Sequence, residues 1–246
     1  MCVLLVSLCA CADSNINTVD DTDNTSEQSM NTGFSTESLS EDDIDTILKN
    51  RNISMLAEEP QRRTIDCFDV NENGLIAIGC SDHDNKTVCI YTNDGDFQYG
   101  YSFECYGSFG VELDDNILMI YFVRSDVAIS INPMGEVESV LEIQNTIENN
   151  SYWNDSVYLN EREVGGNTYT IKNDMGFFNI FASSYSQLII TNINGEERLI
   201  YDVNSAQLKH TLVIFIYVLV FICFAVVNII KLFIKLNRDP STSQSH

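Results

Sequence analysis

The stretch VCIYTNDG, residues 88–95, is a short apolar run that ends in an Asp-Gly turn, and its layout occurs twice more. The copies are VAISINPMG at residues 127–135 and LIITNING at residues 188–195. Runs rich in Val, Ile and Tyr that stop at Asn, Asp and Gly are typical of β-strands entering hairpins. The sequence therefore predicts at least three antiparallel hairpins, since a second apolar run follows each copy, at residues 97–103, 137–143 and 198–203.

Earlier apolar runs extend the three hairpins into units of three or four strands. These runs lie at residues 74–78, 116–121 and 168–171. Units of this size that share a turn glycine resemble the blades of a β-propeller, and the resemblance covers residues 64–205. Three blades are too few to close the usual ring. The predicted fold class is therefore mainly β, with antiparallel sheets in three blade-like units that form either a partial propeller or a meander.

The run LVIFIYVLVFICFAVVNII, residues 212–230, is the most apolar part of the chain. A helix of this length covers roughly 28 Å, which matches the hydrocarbon thickness of a bilayer. We therefore predict one transmembrane α-helix within residues 209–236. The flanking cations are Lys209 before the run and Lys231, Lys235 and Arg238 after it. By the positive-inside rule, the tail at residues 237–246 is predicted to be cytoplasmic and the domain at residues 64–208 extracytoplasmic.

The charge of the chain is divided unevenly between the domain and the anchor. The whole chain has a net charge of −23. Residues 1–208 carry nine Lys/Arg and thirty-five Asp/Glu, a net charge of −26, whereas residues 209–246 have a net charge of +3. A domain this acidic repels phosphate backbones, which argues against nucleic acid as a partner. The membrane is a predicted partner, and a protein, peptide or glycan ligand is left open.

The N-terminal region carries features of an exported protein. Residues 1–12, MCVLLVSLCACA, are an apolar, signal-like segment. Within it, the run from Leu8 to Cys11 resembles the lipobox of bacterial envelope lipoproteins, and the resemblance implies that Cys11 is lipidated. Residues 13–39 are acidic and polar and are predicted to form a disordered tether. Residues 40–63 are predicted to form a short helix, capped by Ser40, and a connector.

One candidate metal site lies at the start of the β-rich region. Asp69, Asn71 and Asn73, followed by Gly74, fit the first half of an EF-hand calcium loop. Cys80 stands where the chelating Glu of that loop belongs. Asx residues before a Gly also suit an ordinary tight turn. The segment is therefore a Ca²⁺ site or a turn. Similarly, His83 lies between two aspartates in a loop that either holds a metal or is simply solvated.

The cysteines and aromatic residues leave further alternatives open. Four cysteines within forty residues allow two disulfides, a metal site, or buried free thiols, and they are Cys67, Cys80, Cys89 and Cys105. The alternating aromatics of residues 97–103 suit either a ligand surface or one core-facing side of a strand.

No common catalytic or nucleotide-binding motif occurs in the sequence. G-x-S-x-G, H-E-x-x-H, G-x-G-x-x-G and the P-loop are all absent. We therefore predict a binding, sensing or interaction module at the cell envelope. The alternatives are an envelope-associated hydrolase, because propeller-like folds also host enzymes, and a tail-anchored protein with a cytoplasmic β-domain.

Overall fold

The computed structural model describes residues 32–238 of the 246-residue chain. These residues form three antiparallel β-sheets and one long, apolar C-terminal helix, and no closed barrel occurs among them. The mainly β fold with three blade-like units is thereby confirmed. Cys11, residues 1–12 and most of the predicted tether and tail lie outside the described residues.

The first sheet has five strands in the order β2-β6-β5-β4-β3. Its last four strands follow one another along the chain as a meander. The strands are β2 (Ser54–Leu56), β3 (Ile65–Val70), β4 (Ile76–Asp82), β5 (Asn85–Tyr91) and β6 (Phe97–Glu104).

The second sheet repeats this arrangement, in the order β1-β10-β9-β8-β7. Here too, four consecutive strands form a meander, and an N-terminal strand pairs with the outer edge. The strands are β1 (Thr36–Ser38), β7 (Phe109–Asp114), β8 (Ile117–Phe122), β9 (Val127–Ile131) and β10 (Val137–Ile143).

The third sheet has four strands in chain order and leads into the C-terminal helix. Its strands are β11 (Glu161–Val164), β12 (Asn167–Lys172), β13 (Gln187–Thr191) and β14 (Glu197–Asp202). A 3₁₀ helix at Gly176–Phe181, called the aromatic loop below, connects β12 to β13. The helix α3, Asn204–Arg238, begins two residues after β14.

The same turn closes the outer hairpin of every sheet. Gly95, Gly135 and Gly195 have φ values of 88°, 86° and 80°, a backbone region that glycine enters without steric cost. Each glycine N–H donates to the carbonyl oxygen three residues earlier, over 2.9 Å in all three sheets. The repeated strand-turn pattern in the sequence therefore corresponds to one repeated local structure.

The first sheet lies between the other two. One of its faces shares an apolar core with the second sheet, where Phe103, Phe109 and Phe122 are at most 2% exposed. The opposite face packs against the third sheet through residues such as Phe68 and Tyr201. The innermost strand β3 contacts both β7 and β11. The three sheets therefore meet through the strands β3, β7 and β11, with β3 in contact with the other two, as inner strands of propeller blades do.

The outer face of the second sheet is covered by helical residues and by the N-terminal segment. This cover consists of α2 (Ile147–Tyr152), a π-helical turn (Trp153–Val157) and Phe34. The ring of Phe34 lies 4.6–4.8 Å from the rings of Tyr121, Tyr152 and Trp153. The second and third sheets consequently share no apolar core among the described residues.

The structure differs from the prediction at the boundary between the tether and the folded domain. The tether predicted for residues 13–39 overlaps β1, and Phe34 is only 5% exposed. Phe34 is buried and β1 pairs with β10, so residues 32–39 belong to the folded domain. The predicted short helix is present as α1, Glu41–Arg51, where the Ser40 hydroxyl accepts a hydrogen bond from the Asp43 N–H over 3.2 Å.

Candidate functional site

Asp69 lies on β3, where the strands β3, β7 and β11 of the three sheets meet. One carboxylate oxygen is 3.1 Å from Nε of Arg162 on β11. The other accepts a hydrogen bond from the backbone N–H of Leu113 on β7 over 2.7 Å. Arg162 also donates to the carbonyl oxygens of Phe68 and Val157. One oxygen of Asp69 thus contacts the third sheet and the other contacts the second sheet, so this side chain links all three sheets.

The protonation of Asp69 is shifted by its surroundings. Burial raises the pKa of this carboxyl to about 6, although the Arg162 guanidinium and the Leu113 N–H lower it. Glu112 on β7 also lies near Asp69, and its carboxylate accepts hydrogen bonds from the hydroxyls of Tyr121 and Tyr152. Asp69, Glu112 and Tyr152 line a shallow acidic opening on the domain surface.

The other two residues of the predicted calcium loop build a turn. The side-chain oxygen of Asn71 accepts a hydrogen bond from the Leu75 N–H over 2.8 Å, and its amide donates to the Asp115 carbonyl. Asn73 is exposed. Asp69 turns instead toward Arg162, so the three predicted ligands do not converge. Among residues 32–238, no cluster of three His, Cys, Asp or Glu side chains is placed to hold a metal ion. Calcium binding here stays a prediction.

The four clustered cysteines are buried free thiols. Cys67, Cys80, Cys89 and Cys105 are each at most 6% exposed, and none is paired in a disulfide. Burial raises the pKa of Cys80 and of Cys89 to about 12. Thiols with so high a pKa stay protonated near neutral pH and pack as small apolar side chains.

The helix α3 has the length and composition of a membrane-spanning helix. An 18-residue window within Asn204–Lys235 has a mean hydropathy of 3.1, and no residue of that window is buried in the domain. α3 is the one such helix within residues 32–238. Lys209 lies near its start, and Lys231 and Lys235 lie near its end. The helix begins at Asn204, five residues before the predicted segment, and the Asn204 side chain accepts a hydrogen bond from the Ser186 hydroxyl of the β-domain over 3.0 Å.

A groove of about 730 Å³ lies between the β-domain and the first turns of α3. Its upper wall is polar and includes Arg63, Asp82, Ser184 and His210. Its lower wall is apolar and is formed by Phe181 of the aromatic loop and by three side chains of α3, Ile214, Phe215 and Val218. Val218 is nine residues beyond Lys209, about 13 Å along a helix.

The polar wall of the groove contains charges of both signs. Arg63 forms an ion pair with Asp82, with 2.7 Å between Nη2 and Oδ2. Nδ1 of His83 lies 3.1 Å from the other oxygen of Asp82, with the imidazole 95% exposed. The Oε1 atom of Gln207 is buried and has no hydrogen-bond partner in the domain. The groove thus offers cationic, anionic and acceptor groups above an apolar floor, an arrangement suited to an amphipathic ligand.

Neither a known protein family, nor a curated protein, nor a solved structure matches this chain. The interpretation of the groove therefore depends on its own geometry.

The groove could not be predicted from the sequence, because its walls come from four separate segments of the chain. Arg63 precedes β3, Ser184 follows the aromatic loop, and Phe215 lies in α3. One local signal was available in the run from Met175 to Gly195, which contains no charged residue in an otherwise acidic domain.

Proposed function

We propose that the protein is a single-pass membrane protein whose acidic β-domain is a binding or sensing module at the cell envelope. The observation that carries this proposal is the groove shared by the β-domain and α3. A ligand in this groove contacts both the soluble domain and the anchor, through Arg63 on one side and Ile214 on the other. Ligand sites of this kind are concave, with an apolar lining and a few convergent polar groups.

The groove favours an amphipathic ligand over a purely polar one. Its apolar wall lies along the part of α3 that follows Thr211, where the apolar run begins. Its polar wall faces the β-domain. A molecule with a polar head and an apolar tail, drawn from the membrane surface, satisfies both walls at once. This ligand belongs to the class of membrane lipids and their derivatives.

The orientation of the domain follows from the charges that flank α3. Lys231, Lys235 and Arg238 follow the apolar run, whereas Lys209 alone precedes it closely. Because cytoplasmic flanks carry the excess of Lys and Arg, the C-terminus is assigned to the cytoplasm and the β-domain to the outside. The exposed acidic surface of the domain is consistent with this side, since it does not favour the anionic cytoplasmic leaflet.

Ligand binding is tested by filling the groove. We expect native mass spectrometry of the full chain, extracted in mild detergent, to show one retained amphipathic molecule. Ile214→Trp places an indole against the floor of the groove and is expected to reduce the retained fraction at least tenfold. Val213→Trp is the matched control, because Val213 and Ile214 are both 50% exposed but Val213 does not line the groove. Equal retention in both variants, or none in the unaltered protein, contradicts the groove as a ligand site.

Orientation is tested separately by protease accessibility on intact cells. An external β-domain is degraded while the cells stay sealed, whereas a cytoplasmic, tail-anchored domain is protected until they are opened. Protection of the domain in intact cells contradicts the proposed side.

A further inference from the structure

The aromatic loop presents bulky apolar side chains outward. Phe177 and Ile180 are each 70% exposed, and Phe181 is 53% exposed. Side chains of this size on a polar, acidic domain mark a surface that contacts an apolar partner.

The loop packs against α3, and this contact fixes the position of the loop along the helix axis. The ring of Phe178 is 5.5 Å from the ring of Phe215 on α3, and the ring of Phe181 is 6.2 Å from it. Phe215 is six residues beyond Lys209, which is about 9 Å along the helix axis. Phe215 also lies three residues inside the apolar run that starts at Leu212. A loop that packs on Phe215 is therefore level with the first turn of the membrane span.

The composition of the loop suits a lipid environment. Residues 175–195 carry no charge. The one strongly polar side chain at the tip, Asn179, folds back onto the loop. Its oxygen accepts a hydrogen bond from the Met175 N–H over 2.8 Å, and its amide donates to the Asn173 carbonyl over 3.2 Å. These bonds satisfy polar groups internally and leave the apolar side chains outermost.

The base of the loop is held at the top of the helix. The amide of Asn204, the first residue of α3, donates to the Asp174 carbonyl, and its oxygen accepts from the Asp174 N–H. The loop therefore runs from the level of Asn204 to the level of Phe215, eleven residues further along the helix. Its position relative to the anchor is fixed at both ends.

We propose that the aromatic loop inserts into the lipid bilayer, in the same leaflet that α3 enters from the domain side. Phe177 and Ile180 contact acyl chains near the headgroups, and the loop forms a second membrane contact beside the helix. This inference rests on the proposed membrane span of α3. The insertion is shallow, because the open backbone of a 3₁₀ turn is not tolerated in the centre of the hydrocarbon layer.

Single tryptophans placed in the full chain test the depth of the loop. Phe177→Trp and Ile180→Trp report on the loop, and Phe221→Trp reports on the middle of the apolar run of α3. Each variant is reconstituted in phosphatidylcholine nanodiscs whose acyl chains carry bromine, a contact quencher, either near the headgroup or near the chain end. The fluorescence of the native Trp153, measured in the unaltered protein, is subtracted.

Ile193→Trp is the matched control for an exposed apolar residue. Ile193 is 86% exposed and lies in the turn between β13 and β14. The six residues of β14 separate this turn from α3, a distance of roughly 20 Å. Ile193→Trp is therefore expected to show no quenching from either bromine position.

The expected result is at least a halving of the emission of both loop variants by the shallow bromines, and a smaller effect of the deep ones. Phe221→Trp is expected to show the opposite preference. Quenching of Phe221→Trp without quenching of the loop variants overturns the insertion while the anchor stands. If Phe221→Trp is not quenched either, the membrane span fails, and the insertion fails with it.

Discussion

The two faces of the first sheet are both buried, but the balance of the interactions that hold them differs. The face toward the second sheet is mainly aromatic packing, in which the Phe103 ring lies 5.3 Å from Phe109 and 5.5 Å from Phe122. Hydrogen bonds also join these two sheets, such as the one from the Tyr101 hydroxyl to the Asn132 carbonyl over 2.6 Å. The face toward the third sheet has an apolar centre with side-chain hydrogen bonds and ion pairs around it. Tyr201 binds the backbone of Arg63 at the end nearest α3, called the anchor end because α3 is the proposed membrane anchor, and Arg198 pairs with Asp94 at the far end.

This difference indicates how the position of the third sheet, which leads into α3, is fixed. Apolar packing is non-directional, so it holds two sheets together without strongly fixing their offset. Hydrogen bonds and ion pairs depend on distance and angle, and they fix that offset. The second sheet follows the first after four residues, 105–108, whereas the third sheet follows only after residues 144–160. The longer connection restrains the third sheet less, so directional contacts contribute more to fixing its position.

The largest expected effect is on the apolar face. Phe103→Ala removes a ring that is 1% exposed and leaves a cavity between two aromatic neighbours. We expect the free energy of unfolding to fall by about 4 kcal/mol. Urea unfolding of the full chain in detergent micelles, followed by circular dichroism, measures this change.

Tyr106→Ala is the control for loss of an aromatic side chain in the same region, because Tyr106 is 61% exposed. Its expected effect is within about 0.5 kcal/mol. A loss below about 1 kcal/mol for Phe103→Ala would show that this face is not held by its rings.

The second effect concerns the link between the three sheets. Arg162→Met removes the cation beside Asp69 and leaves a carboxylate that is only 13% exposed without its partner. Breaking a buried pair in this way is expected to cost about 3 kcal/mol at pH 8. The same urea titration, repeated at several pH values, separates the loss of charge pairing from a simple loss of packing.

The pH dependence has a definite sign. The pKa of Asp69 is about 6 in the folded protein, against 3.8 for an unperturbed carboxyl, so the folded state binds more protons than the unfolded state between these values. The contribution of Asp69 to stability is therefore full below about pH 4 and is lost as the pH rises through about 6. Arg162→Met raises this pKa further, so its destabilisation is smaller at pH 5 than at pH 8.

Asp69→Asn is the control, since it cannot titrate. The difference in unfolding free energy between the unaltered protein and this variant is expected to fall as the pH rises from 4 to 7. A flat difference would contradict the raised pKa of Asp69.

Local features of the fold could be predicted from the sequence, whereas contacts between distant segments could not. The turns at Gly95, Gly135 and Gly195 depend on a few adjacent residues, and α3 could be predicted as a long apolar helix from its composition alone. The pairing of Asp69 with Arg162 joins residues 93 positions apart, and no local pattern distinguishes this aspartate from its many acidic neighbours. The burial of Phe34 could not be predicted either, because a single aromatic residue in an acidic stretch forms no periodic apolar pattern.

The third effect tests the hydrogen bonds at the anchor end. The hydroxyl of Tyr201 accepts from the Arg63 N–H over 2.9 Å and donates to the Arg63 carbonyl over 2.7 Å. Tyr201→Phe keeps the ring and leaves both backbone groups without this partner, at an expected cost of about 1–2 kcal/mol. Hydrogen exchange of the Arg63 amide, measured by NMR on the full chain, is expected to accelerate. Unchanged protection of that amide would show that the hydroxyl does not hold this end of the third sheet.

The smallest effect is expected at the far end of the same face. Arg198 is paired with Asp94 and donates to the Asn93 carbonyl over 2.7 Å, but the two charged side chains are 48% and 75% exposed. Solvent and salt screen such a pair, so Arg198→Ala is expected to cost less than about 1 kcal/mol. Lys172→Ala is the matched control, because Lys172 pairs with Glu197 within the third sheet over 3.7 Å and reports on an exposed pair that joins no sheets. If Arg198→Ala costs no more than Lys172→Ala, the third sheet is positioned mainly from the anchor end. A cost above that of Tyr201→Phe would reverse this order and place the decisive contacts at the end of the sheet far from α3.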